Sequence, residues 1–296
     1  MTKIPYILTP LVGVLLLLLM ACGSGPAEKP IVTVSIEPQR YLVERIAGDR
    51  MQVRCLLADG ANPETYDPSV THMINLQKSS AYLRVGNIGF EAALIDKIHD
   101  SNPDLPIFNT SEGIVPVTGT HAHGPHADAD ETVDPHTWTS VRNARIMARN
   151  IANALSQIDP QGERRYRRNL EALDAHLDSL DHAIAARLAP VRGKAFLVWH
   201  PSLSYFARDY GLEQVIVGGH ENKESSVGSM REAIDHARSH GAEVFFSQQD
   251  LDKRHVSALN NEIGAREVSI NPLSSHWEEE MIRIADALAP HTTASL

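Results

Sequence analysis

The chain predicts an α/β protein built as two doubly wound lobes with parallel sheets, joined by one long rigid helix. Three observations lead there. Short β-branched or apolar runs alternate with helix-length amphipathic segments, once in the first half of the chain and again in the second. Between the two series, residues 161–189 contain no Pro and no Gly after Gly162. Within that stretch Tyr166, Leu170, Leu173, Leu177, Leu180, Ile184 and Leu188 step by three or four, which marks one apolar stripe of a helix. Such a helix runs on the order of 40 Å at 1.5 Å per residue, enough to bridge two lobes. The length, 296 residues, is generous for one core and comfortable for two.

The elements follow in order. Lys3 and the apolar run Leu11–Met20 have the layout of a secretory signal, too short to span a membrane comfortably. Ala21 supplies the small residue before a cut, and Cys22 follows it as the residue that bacterial lipoproteins acylate. We therefore expect a signal peptide over 1–21 and a lipid-anchored tether over 22–29, where Gly23-Ser24-Gly25-Pro26 gives flexibility. The N-terminal lobe is expected over 30–158, the linking helix over 159–192 and the C-terminal lobe over 193–296. In the first lobe, strands are expected at 31–36, 51–57 and 81–85, with brief extended pieces at 106–108 and 114–117. Its helices are expected at 38–47, 69–79, 90–98 and 141–158. Pro160 and Pro190 punctuate the linking helix. In the second lobe, strands at 195–199, 214–217, 243–246 and 267–270 alternate with helices at 202–210, 229–239, 253–263 and 276–288.

Charge and cysteine content narrow the function classes. A net charge of −10 opposes binding to nucleic acid and leaves the lipid anchor as the only attachment to a membrane. With Cys22 acylated, Cys55 is the one remaining thiol, so no disulfide framework can form. Cys55 lies in a strand-like run and reads as a small apolar filler.

Four segments place metal-capable residues where ligands of open α/β sheets gather. Gly60-Ala-Asn-Pro-Glu-Thr-Tyr-Asp-Pro68 holds Glu64 in a proline-stiffened loop. Alone, it reads as a solvated acid on a surface turn. Asp134-Pro-His-Thr-Trp138 puts His136 next to a proline-fixed backbone, either as a zinc ligand or as a histidine packed at a helix start. Phe196-Leu-Val-Trp-His200-Pro-Ser carries His200 to the end of an apolar strand, a placement that points to a ligand. Val268-Ser-Ile-Asn271-Pro272 ends another strand, although Asn is a poor transition-metal ligand. Together, Glu64 and His136 would face His200 across the lobes. Two imidazoles and a carboxylate suit zinc, Zn(2+), and tolerate manganese, Mn(2+).

With these motifs the chain resembles the zinc- and manganese-binding solute-binding proteins of ABC transporters. In that family a Pro-His-x-Tyr-x-Pro loop, an Asp-Pro-His-x-Trp/Leu segment, a strand-His-Pro segment and a late strand-end Asp surround the metal. A long helix joins the two lobes. His200-Pro-Ser-Leu-Ser-Tyr-Phe-Ala-Arg-Asp-Tyr-Gly-Leu212 is the most specific stretch, followed by Asp134–Trp138. The resemblance implies a monomer that captures a divalent metal ion outside the cytoplasm, in the periplasm or at a bacterial cell surface, and delivers it to an ABC transporter permease. Position 64 is Glu where the family usually has His, and position 271 is Asn where manganese-type members have Asp. Glu64 can still coordinate through oxygen, and Asn271 stands as a possible fourth position or as a residue that orients a ligand or water. The tract 118–133 carries His121, His123 and His126 beside acidic residues, like the His-rich insertion of zinc-type members. It would gather metal weakly.

Three other classes are compatible with some of these residues: a manganese-specific member of the same family, a zinc-dependent hydrolase and a surface adhesin. Three protein ligands and an open position also describe catalytic zinc. The sequence has no His-Glu-x-x-His, no Gly-x-Ser-x-Gly and no glycine-rich phosphate loop, so the expectation is a carrier and not an enzyme.

Overall fold

The structure is a computed structural model and describes residues 29–57, 61–63, 66–118, 133–218, 226–248 and 263–290. In chain order the strands are β1 (Ile31–Val34), β2 (Gln52–Cys55), β3 (Ala81–Arg84), β4 (Ile107–Asn109), β5 (Ala195–Val198), β6 (Glu213–Ile216), β7 (Val244–Gln248) and β8 (Arg266–Ile270). The described helices are α1 (Glu37–Ala47), α2 (Val70–Gln77), α3 (Gly89–Ser101), α4 (Val141–Ile158), α5 (Glu163–Leu188), α6 (Ser204–Tyr210), α7 (Val227–Ser239) and α8 (Trp277–Leu288). Both sheets are parallel, with orders β2-β1-β3-β4 and β6-β5-β7-β8. The order reverses at β1/β3 and at β5/β7, and the carboxyl ends of those strands are where such sheets hold ligands.

Local chemistry sets the element ends. Pro38 sits in the first turn of α1, where its missing N–H costs nothing, and Gly48 (φ 59°) closes the helix in the left-handed region. The Ser140 and Ser226 hydroxyls each accept one free N–H from the first turn of α4 and α7, those of Asn143 and Ser229. Pro190 does not end the long helix abruptly but falls in a 3₁₀ turn, Ala189–Val191, that extends it. The extended piece expected at 114–117 does not join the sheet. Pro116 has no N–H to pair, Val115 is exposed, and only Thr118 forms an isolated antiparallel bridge, with Val133. The helix expected at 253–263 lies outside the described residues apart from Ile263.

Every stripe residue of α5 except the half-buried Leu170 is buried. That burial is shared between lobes, because one continuous apolar cluster runs from Val32 and Leu83 in the first sheet through Leu177 to Phe196, Phe246 and Met281 in the second lobe. Each large side chain in it contributes roughly 1.5–3 kcal/mol by leaving water. A second cluster, with Leu197, Val215, Ile234 and Phe245, lies on the other side of the second sheet. Alternate residues of β5 thus feed two different cores, as the period of a strand requires.

Polar contacts fix the same helix to both lobes. Asn169 Nδ2 donates to the Ile46 carbonyl at the end of α1 (2.9 Å), and Arg145 of α4 forks onto Asp174 with two contacts of 2.8 Å. From the second lobe, Glu278 of α8 accepts from Tyr41 of α1 and pairs with His176 of α5, each at 2.8 Å. Burial pushes the Glu278 carboxyl upward, and the His176 and Tyr41 hydrogen bonds overcome this and hold it below the usual range.

A shared core predicts shared unfolding. The Leu177→Ala variant should lose about 2–5 kcal/mol of stability. Urea curves of parent and variant, followed by tryptophan fluorescence and by far-UV circular dichroism, should superimpose as a single transition. Two separated transitions would mean that the lobes fold independently.

Candidate metal centre between the lobes

His136 sits on the turn that leads into α4. Pro135 restricts the backbone before it, and the 3₁₀ turn Thr137–Thr139 follows directly. Asp134 is completely buried, and its Oδ1 accepts both the backbone N–H and the Nδ1–H of His136, each at 2.8 Å. A carboxylate can only accept, so Nδ1 carries the proton and Nε2 keeps its lone pair. The Asp134 main chain is held as firmly. Its N–H donates to the Val117 carbonyl (2.9 Å), and its carbonyl accepts from the Tyr205 hydroxyl (2.8 Å).

His200 comes from the other lobe. It follows β5, the strand at the switch point of the second sheet, and the Trp199 N–H extends the pairing to Phe246 (3.1 Å). The segment after it is pinned from both neighbouring strands. Gln214 Oε1 of β6 accepts the Leu203 N–H (2.7 Å), and Gln248 Nε2 of β7 donates to Ser202 Oγ (3.1 Å). Gly218 closes in from β6: a Cβ built there would stand 2.2 Å from the Trp199 carbonyl oxygen, so no side chain fits beside the residue preceding His200.

The two imidazoles converge. His136 Nε2 and His200 Nε2 are 3.2 Å apart, with ring planes at 76°. Two nitrogens bound to one tetrahedral zinc at 2.0–2.1 Å stand about 3.3 Å apart, so the spacing already matches a shared ion. Asp134 supports the same conclusion. Burial pushes its carboxyl upward, but positive charge placed on His136 and the hydrogen bonds of His136 and Ser204 outweigh burial and hold it below the usual range. Its Oδ2 is buried and meets no full hydrogen bond, with the Ser204 side chain as its further polar support. Positive charge placed on His136 is what such a carboxylate requires.

The lobes are stitched together beside this pair. The Trp138 indole N–H donates to the Pro272 carbonyl after β8 (2.9 Å), and the Trp277 indole donates back to the Trp138 carbonyl (2.8 Å). Asn271 is one residue from this stitch. Its Oδ1 accepts the Leu273 N–H (3.1 Å) and its own N–H donates to Glu280 (2.7 Å), so the side chain helps to shape the turn. Glu64, His121, His123, His126 and Cys22 lie outside the described residues. Close to Glu64 in the chain, the Tyr66 hydroxyl donates to the Leu56 carbonyl (2.8 Å), which ties the end of that loop to the strand β2 it follows. Sequence reasoning singled out His136 and His200 but passed over Asp134, Tyr205 and Gly218. The Asp-Pro-His spacing was the available signal for Asp134, whereas Gly218 and Tyr205 act through contacts that spacing does not encode.

Two α/β lobes locked on one helix, with imidazoles from both meeting at the seam, define a metal-binding protein of the solute-binding class. Comparison with known proteins agrees. The family model described as ZnuA, zinc-uptake complex component A periplasmic, matches residues 32–289. A putative metal-binding protein of Treponema pallidum is 26% identical over 286 residues, covering 92% of this chain and 90% of its own. The zinc-binding lipoprotein AdcA of Streptococcus pneumoniae strain R6 is 26% identical over 290 residues, which are 95% of this chain and 57% of AdcA. A crystal structure of ZnuA superimposes with a TM-score of 0.79 at 30% identity, covering 88% of this chain and 100% of that one. A zinc-bound ZnuA deletion mutant gives the same score and identity, covering 89% and 99%. The chain belongs to the family of zinc-uptake complex component A, the metal-binding component of ABC zinc uptake.

If Asp134 sets the tautomer and basicity of His136, Asp134→Asn should keep the fold and lower zinc affinity by about 10–100-fold. Chelator competition measures the affinity, and an unchanged value would assign Asp134 a purely structural role.

Proposed function

We propose that this chain binds one zinc ion at the lobe seam through His136 and His200, with Glu64 as the carboxylate ligand, and delivers it to an ABC permease. The observation that carries the reading is the approach of two Nε2 atoms from different lobes to 3.2 Å, one of them fixed in its metal-ready tautomer by Asp134. The ion is cargo. The nitrogens would exchange a shared hydrogen bond for two metal bonds, with the proton between them passing to His200 Nδ1 by exchange with water. Both ligands must be neutral imidazoles, so binding weakens as the histidines become protonated.

The remaining parts of the proposal rest on sequence. Cys22 would carry the lipid anchor, and 22–29 would tether a monomeric two-lobe body, 30–158 and 193–296 around the helix segment 159–192, to a bacterial membrane. His121, His123 and His126 would collect zinc weakly and pass it on, since loop ligands must be ordered at an entropic cost. Water or a side chain near Asn271 would complete the coordination. A carrier reading is preferred to a hydrolase because Asp134, the buried carboxylate beside the imidazoles, is committed to His136 Nδ1 and stands behind the ring, away from any ion on Nε2.

His136→Ala and His200→Ala should each reduce zinc affinity by well over tenfold, because each leaves a site with one imidazole. Glu64→Ala should do the same, and Glu64→His should restore binding. A parent-like titration for either histidine variant would place the site elsewhere. Tighter binding of manganese than zinc in the same competition would identify manganese as the cargo.

Loading should stabilise the protein without closing it. A hundredfold excess of zinc over Kd adds about 2.7 kcal/mol. The melting temperature should therefore rise by several degrees and fall back on chelation, while small-angle scattering profiles of the two forms superimpose. A large decrease in radius of gyration on loading would contradict the rigid helix.

A further inference from the structure

We propose that Glu213, His236 and His240 form a second divalent-metal site on the outer surface of the C-terminal lobe, with zinc or a similar borderline ion as its ligand. Glu213 opens β6, the edge strand of the second sheet. His236 lies in the last turn of α7, and His240 follows one turn later as its C-terminal cap, so both project from one face. One ligand atom from each of the three residues lies within 4.8 Å of the others. His236 Nε2 is 2.7 Å from Glu213 Oε1, and the two imidazole rings stack with centroids 4.2 Å apart.

The hydrogen bonds behind His240 prepare it for a cation. Its Nδ1 lies 2.9 Å from the His236 carbonyl oxygen, which can only accept, so Nδ1 carries the proton and Nε2 keeps the lone pair. Ser239 Oγ donates to the same carbonyl (2.7 Å) and stands 3.0 Å from Nδ1 as an acceptor. A backbone carbonyl behind a histidine is the outer partner commonly found at metal sites. On His236, the proton now facing Glu213 moves to Nδ1 by exchange with water as Nε2 takes the ion. Two imidazoles and one carboxylate then leave a coordination position for water, a set suited to zinc. An ordinary surface ion pair accounts for Glu213 and His236 but not for the oriented His240 beside them.

The scaffold under the three residues is rigid. Val215 and Val217 of the β6 segment pack on Ile234 and Ala237 of α7 in the second apolar cluster, so the ligands need little further ordering. The site is independent of the seam. Glu213 pairs with Ala195 at the start of β5, whereas His200 lies beyond its end, which separates the two by about 15 Å along the strand. The side chains of His236 and Glu213 are 47% and 43% exposed, so an ion there stays hydrated and is held less tightly than one between His136 and His200.

The test is titration of zinc alone into the full chain under chelator competition, comparing the parent with His236→Ala/His240→Ala and with Glu213→Gln. The double variant should lose one weakly held ion and keep the tight one at parental affinity. Glu213→Gln should weaken the same ion about tenfold or more. Zinc-soaked crystals of the parent, measured at the zinc absorption edge, should show an anomalous peak among the three side chains. A double variant with parental stoichiometry, or crystals without that peak, would overturn the proposal. Loss of the tight ion in the double variant would overturn its independence from the seam.

Discussion

The apolar stripe of α5 is the constraint on which the rest of the molecule depends. Leu173, Leu177, Ile184 and Leu188 are buried in one core that also contains residues of both sheets. A hinge protein keeps two cores and a compliant crossing. Here the crossing is itself core, and bending it would expose side chains each worth a few kcal/mol. The consequence is geometric. Residues whose elements belong to different sheets, such as His136 and His200, can be held a hydrogen bond apart without a ligand between them.

Rigidity alone would not make that pair a metal site. Its electrostatics depend on one buried carboxylate and on carbonyl and indole contacts that fix the surrounding backbone. Asp134 is costly to bury charged, and that cost is offset by the imidazole it orients, by the His136 backbone N–H and by the Ser204 side chain. Trp138 and Trp277 exchange indole-to-carbonyl hydrogen bonds across the seam, so the turn that carries His136 cannot drift from the second lobe. Close to Glu64 in the chain, the Tyr66 hydroxyl is tied to the Leu56 carbonyl just past β2.

The second lobe also shows how the same donors differ with placement. Glu213, His236 and His240 place two imidazoles and a carboxylate toward the opposite end of the sheet from the His136–His200 pair, and in contact with water. Desolvation strengthens the seam pair and weak screening preserves it, whereas the exposed trio competes with hydration. A carrier with both would hold one ion firmly and sample a second in fast exchange.

The sequence by itself determined the architecture and the residues at its centre. The three-and-four spacing from Tyr166 to Leu188 determined the long helix, because only a buried stripe on one face uses that period. The repeated alternation of strand and helix patterns determined the two parallel sheets, and the strand-to-histidine step at Val198-Trp199-His200 and the Asp-Pro-His segment pointed to the two imidazoles that meet at the seam. These signals are local, so periodicity and neighbouring residues suffice to read them. Tertiary structure alone decided what joins distant segments: that His136 and His200 meet, that Pro272 receives the Trp138 indole, and that Gly218 must lack a side chain against Trp199. It also gathered Glu213 with His236 and His240, which ordinary spacing presents as a surface acid and two helix histidines. Those facts depend on how sheets and helices pack across 64 or 134 residues of chain, as for His136–His200 and Trp138–Pro272, and no period in the sequence encodes a distance of that kind.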